Sequence, residues 1–138
     1  MQQKKLTFMH FLLALVLVSI IESGLVLGGF IPPISTYSPG NLIFIFLKLI
    51  LIVISAVYFY KLGVKKCTVN GAILGLVTSF IVALLSFIGK GYGKPVLGLN
   101  VPGNYYWLMI GFIVLQNVIL GAVVAALSCW IARKIKHN

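Results

Sequence analysis

Four stretches of this chain consist almost entirely of apolar residues, and each is long enough to cross a membrane as a helix. They cover about residues 6–28, 41–62, 71–88 and 105–132. An α-helix of roughly 20 residues crosses the ~30 Å hydrocarbon core of a bilayer. Charged residues make up 9% of the chain, against about 25% in soluble domains. The sequence therefore predicts an all-α membrane protein. We expect residues 1–138 to form a single domain, in which four transmembrane helices make one bundle with short loops.

Proline and glycine separate the predicted helices. Residues 31–40 contain three prolines and one glycine, a composition that cannot continue a helix. Gly63 and the lysines around it separate the second helix from the third. Residues 89–104 contain five glycines and two prolines, so an irregular connection is expected there.

The basic residues are distributed unevenly between the two predicted membrane sides. One side holds both termini and the second loop and carries eight of them, namely Lys4, Lys5, Lys61, Lys65, Lys66, Arg133, Lys134 and Lys136. The opposite side carries Lys90 and Lys94. Cytoplasmic flanks of membrane helices are enriched in lysine and arginine, so both termini are expected to be cytoplasmic. The protein itself is expected in the cell membrane. Anionic headgroups then account for the net charge of +10, and no nucleic-acid partner is expected.

Glu22 is the single acidic residue of the chain and lies inside the first apolar segment. Lys48 interrupts the second segment at a similar depth, roughly 10 Å below the outer interface. A short loop makes these two helices antiparallel neighbours, so the sequence predicts a Glu22–Lys48 ion pair inside the membrane. Two interpretations stay open. The favoured one is structural, either an ion pair that fixes helix register or a Lys48 side chain that extends to the outer headgroups, and the other is a charged site on an ion or proton pathway.

Further polar residues mark a polar interior in the predicted bundle. Asn41, Lys48 and Ser55 recur every seven residues, which places them on one face of the second helix. Gln116 and Asn117 lie near the middle of the fourth helix. They are expected to make hydrogen bonds between helices, with a ligand-binding site as the alternative.

Small residues recur at helical spacing in the last two segments. Such small-xxx-small patterns let two helix backbones approach closely, here against each other or against another subunit. The predicted packing residues are Gly71, Gly75, Ser79 and Ala83 on the third helix, with Gly121 and Ala125 on the fourth.

The sequence offers little for catalysis or metal binding. It contains no P-loop, nucleophile elbow or HExxH motif, and one acidic residue excludes chemistry that needs two carboxylates. His10 and His137 have no ligand-type neighbours in sequence. We therefore expect no enzyme activity, no catalytic residues, no metal and no cofactor. Cys67 and Cys129 fall near the predicted cytoplasmic side, where free thiols are expected.

One segment resembles a known family. Val18 to Ser23 (Val-Ser-Ile-Ile-Glu-Ser), followed by Ile31-Pro32-Pro33 and an apolar helix, resembles the start of the holin-like membrane proteins. The similarity covers under a quarter of the chain, and the proline-containing motif of that family's second half is absent from residues 69–88. The resemblance implies a small membrane protein that oligomerises.

Two functions are consistent with these features. The leading one is a structural or accessory subunit that packs against itself or against other membrane subunits, because four helices with short loops leave little room for chemistry. The alternative is a small oligomeric channel, holin-like or transport protein that uses the Glu22–Lys48 pair.

Overall fold

The computed structural model describes residues 2–98 and 102–137, and helices account for most of them. The four α-helices are α1 (Gln2–Leu27), α2 (Pro39–Tyr58), α3 (Val64–Gly91) and α4 (Gly103–His137). Two short 3-10 turns, Ile34–Thr36 and Tyr60–Leu62, lie between them, and the described ranges contain no strand. Each α-helix is long and apolar enough to cross a membrane. The predicted fold class, an all-α four-helix membrane protein, is confirmed.

Local chemistry explains where α2 begins and where the chain turns toward α3. Ser38 is its N-cap, with the hydroxyl accepting a hydrogen bond from the Asn41 backbone N–H at 3.4 Å. Pro39 follows at the first helical position, where the fixed backbone angle of proline suits a helix. The chain then reverses at Gly63, whose φ of +92° favours glycine.

The helices extend beyond the apolar segments from which they were predicted. α3 begins at Val64 rather than at residue 71, and α4 continues to His137 rather than ending at residue 132. Lysine and arginine are good helix formers, so polar flanks continue a helix that hydropathy alone cuts short. At 28 and 35 residues, α3 and α4 are roughly 42 and 52 Å long and exceed the hydrocarbon core.

α3 is the most buried of the four helices. In the apolar 18-residue stretch of α3 that would cross a membrane, 39% is buried, whereas 17% of the corresponding stretch of α4 is buried. Two clusters of buried side chains form the core. The cluster near the α2–α3 turn contains Leu15, Ile52, Ala56, Phe59, Cys67, Leu74, Ala125 and Cys129. The cluster toward the opposite end contains Val82, Leu97, Tyr106 and Ile110.

The connection after α3 packs against the loop between α1 and α2. The backbone N–H of Ile34 donates to the Val96 carbonyl at 2.9 Å, and that of Ser35 donates to the Leu97 carbonyl at 3.3 Å. Val96 and Leu97 are both buried. An open cleft of about 580 Å³ lies beside this contact, lined by residues 26–33 and 93–95. The two loops therefore close one end of the bundle together.

Candidate functional site

A buried carboxylate lies on α1 near the end of the bundle that the two loops close. Glu22 precedes the last residue of the helix by five positions, which places it roughly 8 Å below that end. Its side chain is fully buried. A carboxylate buried inside a membrane-spanning segment must be paired or hydrated, because its desolvation is costly.

Lys48 supplies the partner from α2. Its Nζ atom donates to Oε2 of Glu22, and the Lys48 side chain keeps 17% of its surface exposed. Lys48 lies nine residues, or roughly 14 Å, from the start of α2 at Pro39. The structure thus brings together the two charges that the sequence placed at similar depth. The burial is unequal, however, because Glu22 is enclosed whereas Lys48 reaches the bundle surface.

The pair leaves polar atoms of α1 without partners. Oε1 of Glu22 and the hydroxyls of Ser19 and Ser23 are buried and make no hydrogen bond to any described residue. Their spacing along the helix places all three side chains on one face. Oxygen atoms grouped in this way can hold a water molecule, a proton or a cation.

The other polar residues of α2 lie away from this group. The amide nitrogen of Asn41 donates to the carbonyls of Pro32 and Pro33, at 3.1 and 3.0 Å, so Asn41 holds the first loop against the helix. Ser55 is buried at the opposite end of α2, beside the first core cluster, where the gap around it is too small for a water molecule. The predicted polar face of α2 is therefore three separate sites rather than one continuous pathway.

The structure separates Gln116 from Asn117. Asn117 is half-buried, and its backbone carbonyl lies against Gly75 of α3. Gln116 is exposed on the surface of the bundle, so its expected place in a polar interior is wrong. Successive helix residues point about 100° apart, and the face of α4 that meets α3 includes Asn117 but excludes Gln116.

Glycine residues form the contact between α3 and α4. A Cβ atom added at Gly71 would overlap the carbonyl oxygen of Gly121, and one added at Gly75 would overlap that of Asn117. Ala125 is buried, and its Cβ also lies against Gly71. The backbones of the two helices therefore touch directly, an approach that small residues allow.

The remaining small residues of α3 continue toward the other end of this helix. The hydroxyl of Ser79 donates to the Gly75 carbonyl at 2.6 Å and is thus satisfied within its own helix. Ala83 is partly buried against the second core cluster. These two residues add packing surface and present no free donor.

Cys67 and Cys129 form a disulfide between α3 and α4, in place of the predicted free thiols. Their Cα atoms lie 6.3 Å apart, within the range for disulfides, and both residues are buried. The prediction used the compartment alone. It did not include the packing of α3 against α4, which brings the two cysteines together.

The described residues contain no group of three or more His, Cys, Asp or Glu side chains that could hold a metal ion. The four apolar helices, each long enough to span the bilayer, define a small helical membrane protein. No family model, curated protein or solved structure matches the chain, and the holin-like resemblance of its first quarter gains no support from them.

Proposed function

We propose that this protein is a non-enzymatic structural or accessory subunit of a membrane protein assembly. The observation that carries the proposal is the exposed amide of Gln116. Trp107 and Trp130, two exposed aromatic residues on the same helix, suit the two membrane interfaces. Gln116 lies nine residues from Trp107, about 14 Å, and fourteen residues from Trp130, about 21 Å. Its side chain is therefore near the middle of the hydrocarbon core.

An amide in that position requires a polar partner. The side chain of Gln116 makes no hydrogen bond to any residue in the described ranges. Transfer of an amide from water to hydrocarbon without a hydrogen bond costs about 4–8 kcal/mol. A glutamine side chain is too short to reach either interface from there. A neighbouring protein chain that offers donors and acceptors at this depth would satisfy the amide.

The experiment places a photoreactive amino acid at Phe112, one helical turn from Gln116, in cells that express the full chain. Illumination is expected to give discrete protein–protein adducts, which mass spectrometry identifies. The same residue placed at Tyr106, a buried aromatic position on the same helix, is the control and should give no intermolecular adduct. Adducts to lipid alone from residue 112 would contradict the subunit proposal.

A second candidate function is a small channel or transporter that uses the Glu22–Lys48 pair. The specific observation in its favour is that Oε1 of Glu22 and the hydroxyls of Ser19 and Ser23 are buried without a hydrogen-bond partner among the described residues. Ionisable residues such as Glu22 inside a membrane often mark ion pathways or proton relays. The partial exposure of Lys48 would give this group contact with the surface of the bundle.

Flux measurements test the second candidate. For a channel or transporter, purified protein in liposomes is expected to conduct protons or a monovalent cation. Glu22→Gln should then abolish the flux, and an unchanged melting temperature would show that the variant remains folded. Lys65→Met, which removes a charge from the exposed end of α3 and leaves the pair intact, is the control and should conduct like the parent. Equal flux from the Glu22→Gln variant and the parent would reject this function.

The proposed orientation, with both termini in the cytoplasm, can be tested by labelling. The native cysteines are paired and buried, so a new thiol reports on its own position. Tyr92→Cys, at an exposed position after α3, should react with an impermeant reagent added to intact cells. Lys65→Cys should react only after permeabilisation. The reverse labelling pattern would overturn the orientation inferred from the distribution of lysine and arginine.

A further inference from the structure

We infer that the partner at Gln116 is a second copy of this chain, packed α4 against α4 about a two-fold axis along the membrane normal. This inference rests on the proposed subunit function and adds to it the identity of the neighbour. It also fixes the contact, a reciprocal hydrogen bond between the two Gln116 amides.

An exposed face of α4 surrounds Gln116 and is interrupted by the half-buried Ala126. Its members, which we call the α4 seam, follow one another at intervals of four, three, four and seven residues: Phe112, Gln116, Ile119, Val123 and Trp130. The apolar members keep 49–60% of their surface exposed. The intervals average 3.6 residues per turn, the period of the α-helix, so the members form one straight stripe along the helix.

The α4 seam lies on the opposite side of the helix from the contact with α3. At 100° per residue, Val123 is about 160° away from Gly121 and about 160° away from Ala125. Those two residues face the backbone of α3. A second copy can therefore dock on the seam without disturbing the bundle, and each protomer keeps its own α3–α4 interface.

Membrane insertion makes the contact symmetric. Two copies inserted in the same orientation carry each residue at the same depth, so a two-fold axis along the membrane normal brings a residue against its own counterpart. Gln116 thus meets Gln116 of the other copy. A primary amide has a carbonyl acceptor and two N–H donors, so two amides can each donate to the other.

The chemistry of the seam favours a copy of this chain over a charged partner. All its members other than Gln116 are apolar, so a partner needs an apolar face with one neutral hydrogen-bonding group at mid-membrane depth. α4 itself has that face. A single polar residue within an apolar helix seam also fixes the register of the pair, because any shift along the axis leaves both amides without a partner.

The test counts protomers in bilayers. Fluorescently labelled full-length protein is reconstituted at decreasing protein-to-lipid ratios, and photobleaching steps report the dimer fraction. Gln116→Leu is expected to weaken association about 3- to 20-fold, the range that a membrane hydrogen bond of 0.6–1.7 kcal/mol gives. Dimer fractions that are the same for parent and Gln116→Leu at every dilution would overturn the inference.

Cysteine cross-linking tests the face itself. Ile119→Cys lies on the seam and Leu115→Cys lies beside it, and the parent side chains are equally exposed at 54% and 55%. Oxidation should link the Ile119→Cys variant into a dimer and leave the Leu115→Cys variant monomeric. More dimer from Leu115→Cys than from Ile119→Cys would contradict the proposed face.

The outcomes separate this inference from the proposal beneath it. If the parent protein remains monomeric in bilayers at every protein-to-lipid ratio, the inference that the partner is a second copy is wrong. If the photoreactive residue at position 112 then links a different protein in native membranes, the subunit function stands and the partner is another chain. If that residue links lipid alone, both the inference and the subunit function are wrong.

Discussion

The α1–α2 contact and the α3–α4 contact join neighbouring antiparallel helices by different means. Between α1 and α2, Lys48 reaches across to Glu22, so long side chains connect the helices. Between α3 and α4, Gly71 and Gly75 bring the two backbones into direct contact, and the Cys67–Cys129 disulfide also links the helices. The first contact depends on charge and leaves buried oxygen atoms without partners in the described part of the chain, whereas the second depends on close backbone packing.

This difference indicates where each contact tolerates change. A contact between backbones rejects any added atom, because neither helix can move without losing the packing of its neighbours. A contact through an ion pair tolerates changes of shape, but it fails when one charge is left alone in a medium of low dielectric constant. The two interfaces should therefore respond in opposite ways to charge removal and to side-chain enlargement.

The largest effect is expected from Lys48→Met. It leaves the fully buried carboxylate of Glu22 without its cation, and removal of one partner from a buried pair typically costs about 3–5 kcal/mol. Equilibrium unfolding in mixed micelles measures the loss. Lys65→Met, at the exposed start of α3, should change the free energy of unfolding by less than about 0.5 kcal/mol. Equal losses for the two variants would mean that the pair contributes nothing to the α1–α2 contact.

A smaller effect is expected from Gly75→Ala at the other interface. The new methyl group overlaps the Asn117 carbonyl of α4, and overpacking of this kind costs about 1–3 kcal/mol. Gly111→Ala is the matched control, since a Cβ there meets nothing within 4 Å. Both changes add the same helix propensity, so the difference between their melting temperatures isolates the overlap. If Gly75→Ala were as stable as Gly111→Ala, the helices would not be in backbone contact.

The smallest effect is expected from Asn41→Ala, which removes the hydrogen bonds to Pro32 and Pro33 and leaves both interfaces intact. We expect a loss of about 1–2 kcal/mol from these two bonds. Asn70→Ala is the control, because the half-buried Asn70 makes no side-chain hydrogen bond within the described ranges. Hydrogen exchange at the Ile34 and Ser35 amides should increase in the Asn41 variant alone. Unchanged exchange there would show that Asn41 does not hold the loop.

The sequence predicted the parts of the molecule that depend on the composition of a segment and on the number of residues between two positions. Hydropathy was sufficient for four membrane-length helices, because length and apolarity are properties of each segment by itself. The same depth argument placed Glu22 and Lys48 together, since a short loop fixes which helices are neighbours and residue counts fix depth.

Features that depend on rotation about a helix axis, or on contacts between distant segments, could not be predicted in the same way. Adjacent residues Gln116 and Asn117 look alike in sequence, yet only one faces α3. Val96 and Leu97 pack against the loop between α1 and α2, which donates hydrogen bonds to their backbone carbonyls, and this contact has no local signal in the sequence. The disulfide likewise depends on which faces of α3 and α4 meet.

Glu22 and Lys48 are expected to act as one unit across the α1–α2 contact. A double-mutant cycle with Glu22→Gln, Lys48→Met and the combined variant tests it most directly, through the free energy of unfolding in the same micelles. The double variant is predicted to be more stable than the sum of the single losses implies, with a coupling energy of about 0.5–3 kcal/mol, because removal of both charges leaves neither one buried alone. Losses that add within error would contradict the claim and show that the two charges do not stabilise each other.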